Sequence, residues 1–343
     1  MTVRITIKRL ILAALLLAAA GLGFAWSGLF QISASSGHWP ITDWFLHWTM
    51  RNSVRTHAAF QPAFEPADGK QLVSAAGHYR QACQVCHGAP GVAPSAVMAR
   101  ATPPAPDLSV TAREWSDPQL FWIVEHGVKY TGMPAWGAPG RRDEVARMAA
   151  FVRRLPGMTA RQYRALTEVA TGPDLPGLRP GLLATCTGCH GADGRGRGQG
   201  DIPILGGQNP AYLRASLNAY ASGKRPSAVM HVAAAPLSAD EIDRLSTYFA
   251  AMPGLSAAPS GAHPLLTKGM PARQLPACTN CHAPGKSYPV LYGQKPAYVA
   301  GRLNNWHGDP TVIDAHKSKA TMAVIARRIP QEDIDGLAAA IGR

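Results

Sequence analysis

Apolar and polar positions divide the chain into an N-terminal stretch unlike the rest. Arg4, Lys8 and Arg9 precede an uncharged apolar run from Leu10 to about Phe30. Such a run supports a membrane-crossing helix of about 20 residues. Basic residues ahead of it favour a cytoplasmic N-terminus and export of everything downstream. Two readings fit: a single-pass anchor over residues 1–35, or a signal peptide cleaved after the small residues Ala18, Ala19 and Ala20. Apolar character persists through Phe24, Trp26, Leu29 and Phe30, which favours the anchor. Residues 36–67 then mix Trp44, Phe45, Trp48 and Met50 with Arg51 and Arg55. That mixture predicts an amphipathic helix at the headgroups or against a membrane partner, or a helix packed on the first soluble unit. Gln61 to about Asp68 reads as a linker.

Downstream, apolar stretches are short and broken by glycine and proline, of which there are 34 and 29, with aromatics at only 7%. The pattern predicts short helices joined by many turns, with something besides aromatic side chains filling part of the core. Hydrophobic content of 46% is ordinary for a globular protein, and 343 residues allow two or three domains. Thirty-four basic against 21 acidic residues give a net charge of +13. This charge suits an acidic partner or an anionic membrane. No nucleic-acid partner is implied, because the basic residues are scattered and form no recognition helix or aromatic platform.

The six cysteines fall as Cys83-Gln-Val-Cys86-His87, Cys186-Thr-Gly-Cys189-His190 and Cys278-Thr-Asn-Cys281-His282. Two thiols three positions apart on a helical turn can each add to one vinyl group of the same haem, and the adjoining histidine then serves as proximal iron ligand. Structural zinc could pair two motifs but leaves the histidines unexplained. A thioredoxin-like C-x-x-C wants a βαβ context, which is missing, and would not recur three times. The motifs therefore predict three covalently bound haem c groups.

A methionine follows each motif at a matching place: Met133 in Thr131-Gly-Met-Pro-Ala-Trp136, Met230 before Leu237-Ser-Ala-Asp-Glu241, and Met322 before Ile329-Pro-Gln-Glu-Asp333. Methionine opposite histidine closes the iron and raises its potential. The metal ligands expected are therefore His87 with Met133, His190 with Met230, and His282 with Met322. His231, His307 and His316 are competing sixth ligands. His126 reads as a helix-end residue, and Met98 and Met148 as packing residues. Pro106, Pro203 and Pro289 follow the motifs, and a proline carbonyl accepting the histidine N–H would fix ring orientation. In the first unit Pro103 and Pro104 compete for this place. Gly194-Arg-Gly-Arg-Gly198 lacks the lysine and preceding strand of a phosphate loop and reads as a solvent-facing loop.

From Asp68 onward the chain resembles class I cytochromes c. The resemblance rests on Tyr79 four residues before Cys83, Gly88 after His87, and the Met-Pro-Ala-Trp turn. Residues 207–213 and 293–299, Gly-Gln-Asn-Pro-Ala-Tyr-Leu and Gly-Gln-Lys-Pro-Ala-Tyr-Val, form an internal repeat similar to the dihaem members of the class. The resemblance implies an all-α fold: an N-terminal transmembrane helix, then cytochrome c domains at 68–158, 176–256 and 265–343. In each, a first and a last helix cross while the methionine loop closes over the iron. Glu144 to Arg154 and Ala239 to Met252 are the implied last helices of units one and two. Linkers are expected near 157–180 and 253–264. The third unit departs from the pattern: Gln274 replaces the tyrosine, Ala283 replaces the glycine, and a convincing first helix is lacking. An interface with the second unit is expected to compensate.

Triheme subunits of membrane-bound alcohol, aldehyde and gluconate dehydrogenases are similar in carrying three such units. The resemblance implies electron transfer rather than catalysis, at the periplasmic face of the cytoplasmic membrane. The donor would be a dehydrogenase or quinol-oxidising protein, and the acceptor a respiratory one such as a terminal oxidase or reductase. The competing class is a haem enzyme such as a peroxidase, which needs an open or activatable iron.

Overall fold

The computed structural model describes residues 6–62, 72–168, 174–256, 263–283, 286–308 and 320–342; among them every regular element is helical and no strand forms. Parts of the three expected linkers lie outside the described residues, as does His316.

Helix α1, Ile7–Trp26, has no buried residue. Its 20 residues span about 30 Å, the thickness of a hydrocarbon core. Helix α2, Pro40–Ala59, begins with proline in its first turn, where the missing N–H leaves no bond unmade. Its two ends meet different surroundings. Trp44, Phe45 and Trp48 are exposed, while Val54 and Ala58 are buried. His57 stacks on Trp122 at 5.7 Å, and Arg51 lies 5.0 Å over the Trp115 ring. The second half of α2 is thus packed on the first soluble unit, and the first half keeps its aromatic residues on the surface.

The first unit starts with α3, Val73–His78, a π-helical turn over Tyr79–Cys83, and α4, Gln84–His87. Short α5, Leu108–Thr111, is capped by the Asp107 side chain; α6, Asp117–His126, and α7, Arg142–Arg154, follow. Their core centres on Tyr79, Phe121, Phe151 and Leu155, all essentially inaccessible. Tyr79 meets Phe151 at 5.4 Å, which is the expected crossing of first and last helices. The unit also extends past residue 158. Helix α8, Ala160–Thr167, brings Tyr163 into the same core, with its hydroxyl 2.6 Å from Gln84 Oε1.

In the second unit, α9, Leu182–His190, α10, Pro210–Ala221, α11, Ala228–Ala234, and α12, Ala239–Ala250, enclose Leu182, Leu183, Leu213, Leu245 and Phe249. Asn209 caps α10 by accepting from Ala211 N at 2.8 Å. Ser238 and Glu241 form the reciprocal cap of α12.

The third unit has α13, Pro264–Thr267, only four residues long. It continues with a tight turn at Cys278–Asn280, α14, Pro296–Gly308, α15, Ala320–Arg328, and α16, Ile334–Ile341. Leu266, Tyr292, Leu303, Ile334 and Leu337 fill its core. Gln274 sits in the left-handed region at φ 52°, so no helix runs through the place that Tyr79 occupies in the first unit. The second unit supplies support instead. Ser256 N donates to Tyr292 O at 2.9 Å, and Asn209 Nδ2 to Lys286 O at 3.1 Å.

Candidate haem sites

Two of the three motif histidines donate to a proline carbonyl of their own unit, and the third has one nearby. His87 Nδ1 donates to Pro106 O at 2.9 Å, and His282 Nδ1 to Pro289 O at 2.9 Å. Pro106, not Pro103 or Pro104, therefore holds the first ring. Pro203 O acts in the same sense on His190, though with looser geometry, outside strict hydrogen-bond limits. A ring that donates through Nδ1 presents its lone pair at Nε2, as a metal ligand must. Burial keeps these rings neutral. It lowers His87 and His282, the proline carbonyls partly opposing it, and pushes His190 down to about 4.

The six cysteines form no disulfide. Burial pushes the Cys83 and Cys186 thiols up to about 12, and Cys189 and Cys278 up to about 11. These are not the low-pKa thiolates of a dithiol oxidoreductase. Among the described residues no cluster of three or more His, Cys, Asp or Glu comes together.

The methionines are all half-buried. Met133 sits in the turn after α6: its O accepts from Val128 N at 3.1 Å, and its N donates to Thr131 Oγ1 at 3.1 Å. Gly127, at φ 66°, permits this turn, because a Cβ there would come within 2.6 Å of Met133 O. Met230 lies in the first turn of α11 and Met322 on α15. Of the rival histidines, His307 has its Nε2 donating to Ile329 O at 3.1 Å, while His231, exposed, donates through Nδ1 to Tyr220 O at 2.8 Å. His126 ends α6, exposed, 3.4 Å from Glu125 Oε2.

A haem with its propionates also suits the polar groups of these cores. The Tyr292 hydroxyl and Trp306 Nε1 are buried without a hydrogen-bond partner among the described groups, an arrangement that needs acceptors. Between units two and three, Arg225 is buried and donates to Ser216 Oγ at 3.0 Å, Tyr212 OH at 3.2 Å and Tyr298 OH at 3.4 Å.

The units meet through residues that the motifs do not reveal. Glu144 on α7 accepts from Ser227 Oγ at 2.6 Å and Ala228 N at 2.8 Å, holding the start of the Met230 helix. Ser74 Oγ donates to Asp201 Oδ2 at 2.6 Å. Gly77 on α3 lies so close to the second motif that a Cβ there would stand 2.6 Å from Cys189 Sγ. The glycine-arginine loop faces inward in part, contrary to its reading as solvent-facing. Arg197 donates to Leu166 O at 2.6 Å, Gly188 O at 2.7 Å and Ala165 O at 2.6 Å, because the bare helix-end carbonyls of α8 and α9 need donors.

Residues 70–152 match the family model described as cytochrome c oxidase, cbb3-type, subunit III, and residues 182–253 match the model described as cytochrome c. The thiosulfate dehydrogenase electron acceptor of Stutzerimonas stutzeri (strain A1501) is 32% identical over 48% of this chain and 86% of its own length. The protein of the same description from Thiomonas intermedia (strain K12) is 36% identical over 38% of this chain and 69% of its own. The chain is a class I c-type cytochrome. Cytochrome c4 of Pseudomonas aeruginosa is likewise 30% identical, over 46% of this cytochrome and 83% of its own length. The cytochrome is an electron-transfer protein with covalently bound c-type haem. When bound, haem supplies a one-electron couple at its iron. The chain's own residues would do the rest: the motif cysteines would hold the group, and the carbonyls of Pro106 and Pro289 orient the imidazoles of His87 and His282.

Proposed function

We propose that the cytochrome carries three haem c groups, bound through Cys83 and Cys86, Cys186 and Cys189, and Cys278 and Cys281. His87 with Met133, His190 with Met230 and His282 with Met322 ligate the irons. The soluble part comprises three units, near 68–158 with α8 added, 176–256 and 265–343. They are tethered by α1 at the periplasmic face of the cytoplasmic membrane. The chain relays electrons from a dehydrogenase to a respiratory acceptor. The observation that carries this reading is the threefold C-x-x-C-H motif, each histidine paired with a proline carbonyl in its own unit. The printed descriptions of two relatives as thiosulfate dehydrogenase electron acceptors favour a donor that oxidises an inorganic sulfur compound.

The deciding experiment is the intact mass of the denatured protein, taken from membranes of cells competent in cytochrome c maturation. Three haem increments on the full chain are expected. Increments on a chain shortened at the N-terminus would remove the anchor and keep the cytochrome. Fewer than three would overturn the three-haem reading. Carbon monoxide separates the roles: closed His/Met haems take it up poorly, whereas an open, peroxidase-like haem binds it readily.

A further inference from the structure

Two glutamines at equivalent places in the repeat, Gln208 and Gln294, reach across the boundary between the second and third units. Gln208 Oε1 accepts from Val290 N at 2.8 Å and its Nε2 donates to Val290 O at 3.0 Å. Gln294 does the same to the second unit: Oε1 accepts from Ile204 N at 2.9 Å and Nε2 donates to Ile204 O at 3.0 Å. Both side chains are buried, at 6% and 5% exposure, so water does not compete for these bonds.

The residues they grip are informative. Val290 N–H belongs to the same peptide group as Pro289 C=O, the oxygen that accepts from His282 Nδ1. Gln208 therefore sits at one end of a chain running Gln208 Oε1, the Pro289–Val290 peptide, His282. On the other side, Gln294 holds the Pro203–Ile204 peptide, whose carbonyl lies close to His190, beyond strict hydrogen-bond geometry. An acceptor on a peptide N–H increases the negative charge on its carbonyl oxygen, and hydrogen bonds in series strengthen one another. A stronger pull on Nδ1–H makes the imidazole a better donor at Nε2. That favours the oxidised iron and lowers its potential. The first unit has aspartate after Pro106, where Asp107 caps α5, and no glutamine follows at this place.

We propose that Gln208 and Gln294 are reciprocal positioning residues. Each polarises the peptide that orients the axial histidine of the other unit, so the second unit tunes the third haem and the third unit tunes the second. The proposal rests on the three-haem reading above.

The test is a redox titration of the full chain, after intact mass has established its haem number. A shortfall of haem sinks the earlier reading; unmoved potentials on a fully loaded chain sink this one. The haems are assigned with C186A/C189A and C278A/C281A variants, each lacking one group. Gln208→Leu should raise the third haem's midpoint potential and leave the other two in place. Gln294→Leu should raise the second's alone. Gln208→Glu and Gln294→Glu keep an acceptor oxygen and should hold those potentials at or below the wild-type values. The His282 Nδ1–H resonance of the reduced protein should move upfield in Gln208→Leu, independently of any turnover. Unchanged potentials in both leucine variants would overturn the proposal. So would equal movement of the second and third haems in each, which would signal loosened docking.

Discussion

Glu144 belongs to the first unit by sequence, yet both of its carboxylate oxygens serve the second. They accept from Ser227 Oγ and from Ala228 N, where α11 begins, while Arg141 pairs with the same carboxylate at 2.8 Å. A lost helix cap costs about 1 kcal/mol, and here the unsecured helix bears Met230. Glu144→Ala should therefore increase carbon monoxide uptake by the second haem and leave the first closed; Glu144→Gln, which retains an acceptor oxygen, should fall between. Difference spectra of the reduced variants check this, and wild-type uptake in Glu144→Ala would refute it. The cysteines and histidines of each motif were legible in sequence because they fall within five consecutive positions, whereas Pro106 stands 19 positions from His87 and was one of several prolines available. Glu144 was not, because it acts across 83 positions and no local pattern marks such a contact. Gln208 and Gln294 fall between these cases. Their recurrence in the repeat was visible, but it read as a helix start.

Among the elements, α3 is confined on more than one side. It packs against α7 and α8 of its own unit and against α9 and α11 of the second. His78 ends this helix, 5% exposed and edge-on to Trp136 at 5.7 Å. Burial pushes its imidazole down to about 4, so the folded protein keeps it neutral where an unfolded chain, near 6.5, would protonate. Its contribution to stability is complete above about pH 6.5 and is lost progressively as pH falls towards 4. At pH 5 the loss amounts to about 2 kcal/mol. Denaturant unfolding at pH 7 and pH 5 should show this drop in the wild type and a flatter response in His78→Phe. An equal drop in both would assign the acid sensitivity elsewhere. Several helices beyond the motifs were legible: the last helices of units one and two from the family pattern, and the starts of α10 and α14 from the repeat. The exception is α8, which fell within an expected linker although Thr159 and Gln162 form a reciprocal cap. Its polar face obscured Tyr163, whose burial depends on a core that the local sequence does not display.

For the whole molecule, the N-terminal helix stands apart from the packed units. Helix α1 buries none of its apolar residues, and Trp44, Phe45 and Trp48 stay on the surface beside it in sequence. A chain lacking residues 1–30, exported behind a cleavable signal, should leave the membrane fraction and keep its haem. Fractionation followed by haem staining checks this, and retention on membranes would move the anchoring role to the exposed end of α2. The all-helical class and a tandem of motif-bearing segments could be read from spacing and repeats. The way one unit leans on the next could not, because buried side chains such as Gln208 and Gln294 look polar in a sequence and reach backbone groups of the neighbouring unit only in the fold.

The contact between Gly77 and Cys189 bears on how the molecule is made. With only a hydrogen on Gly77, α3 lies directly against the Cys189 sulfur, the one that forms a thioether in the three-haem proposal. An attachment enzyme needs that sulfur uncovered, so the bond at Cys189 has to form before α3 settles. On that proposal the first unit, made earlier, would dock later. Closure would then run against the order of synthesis, with loading of the second unit coming before the first can close.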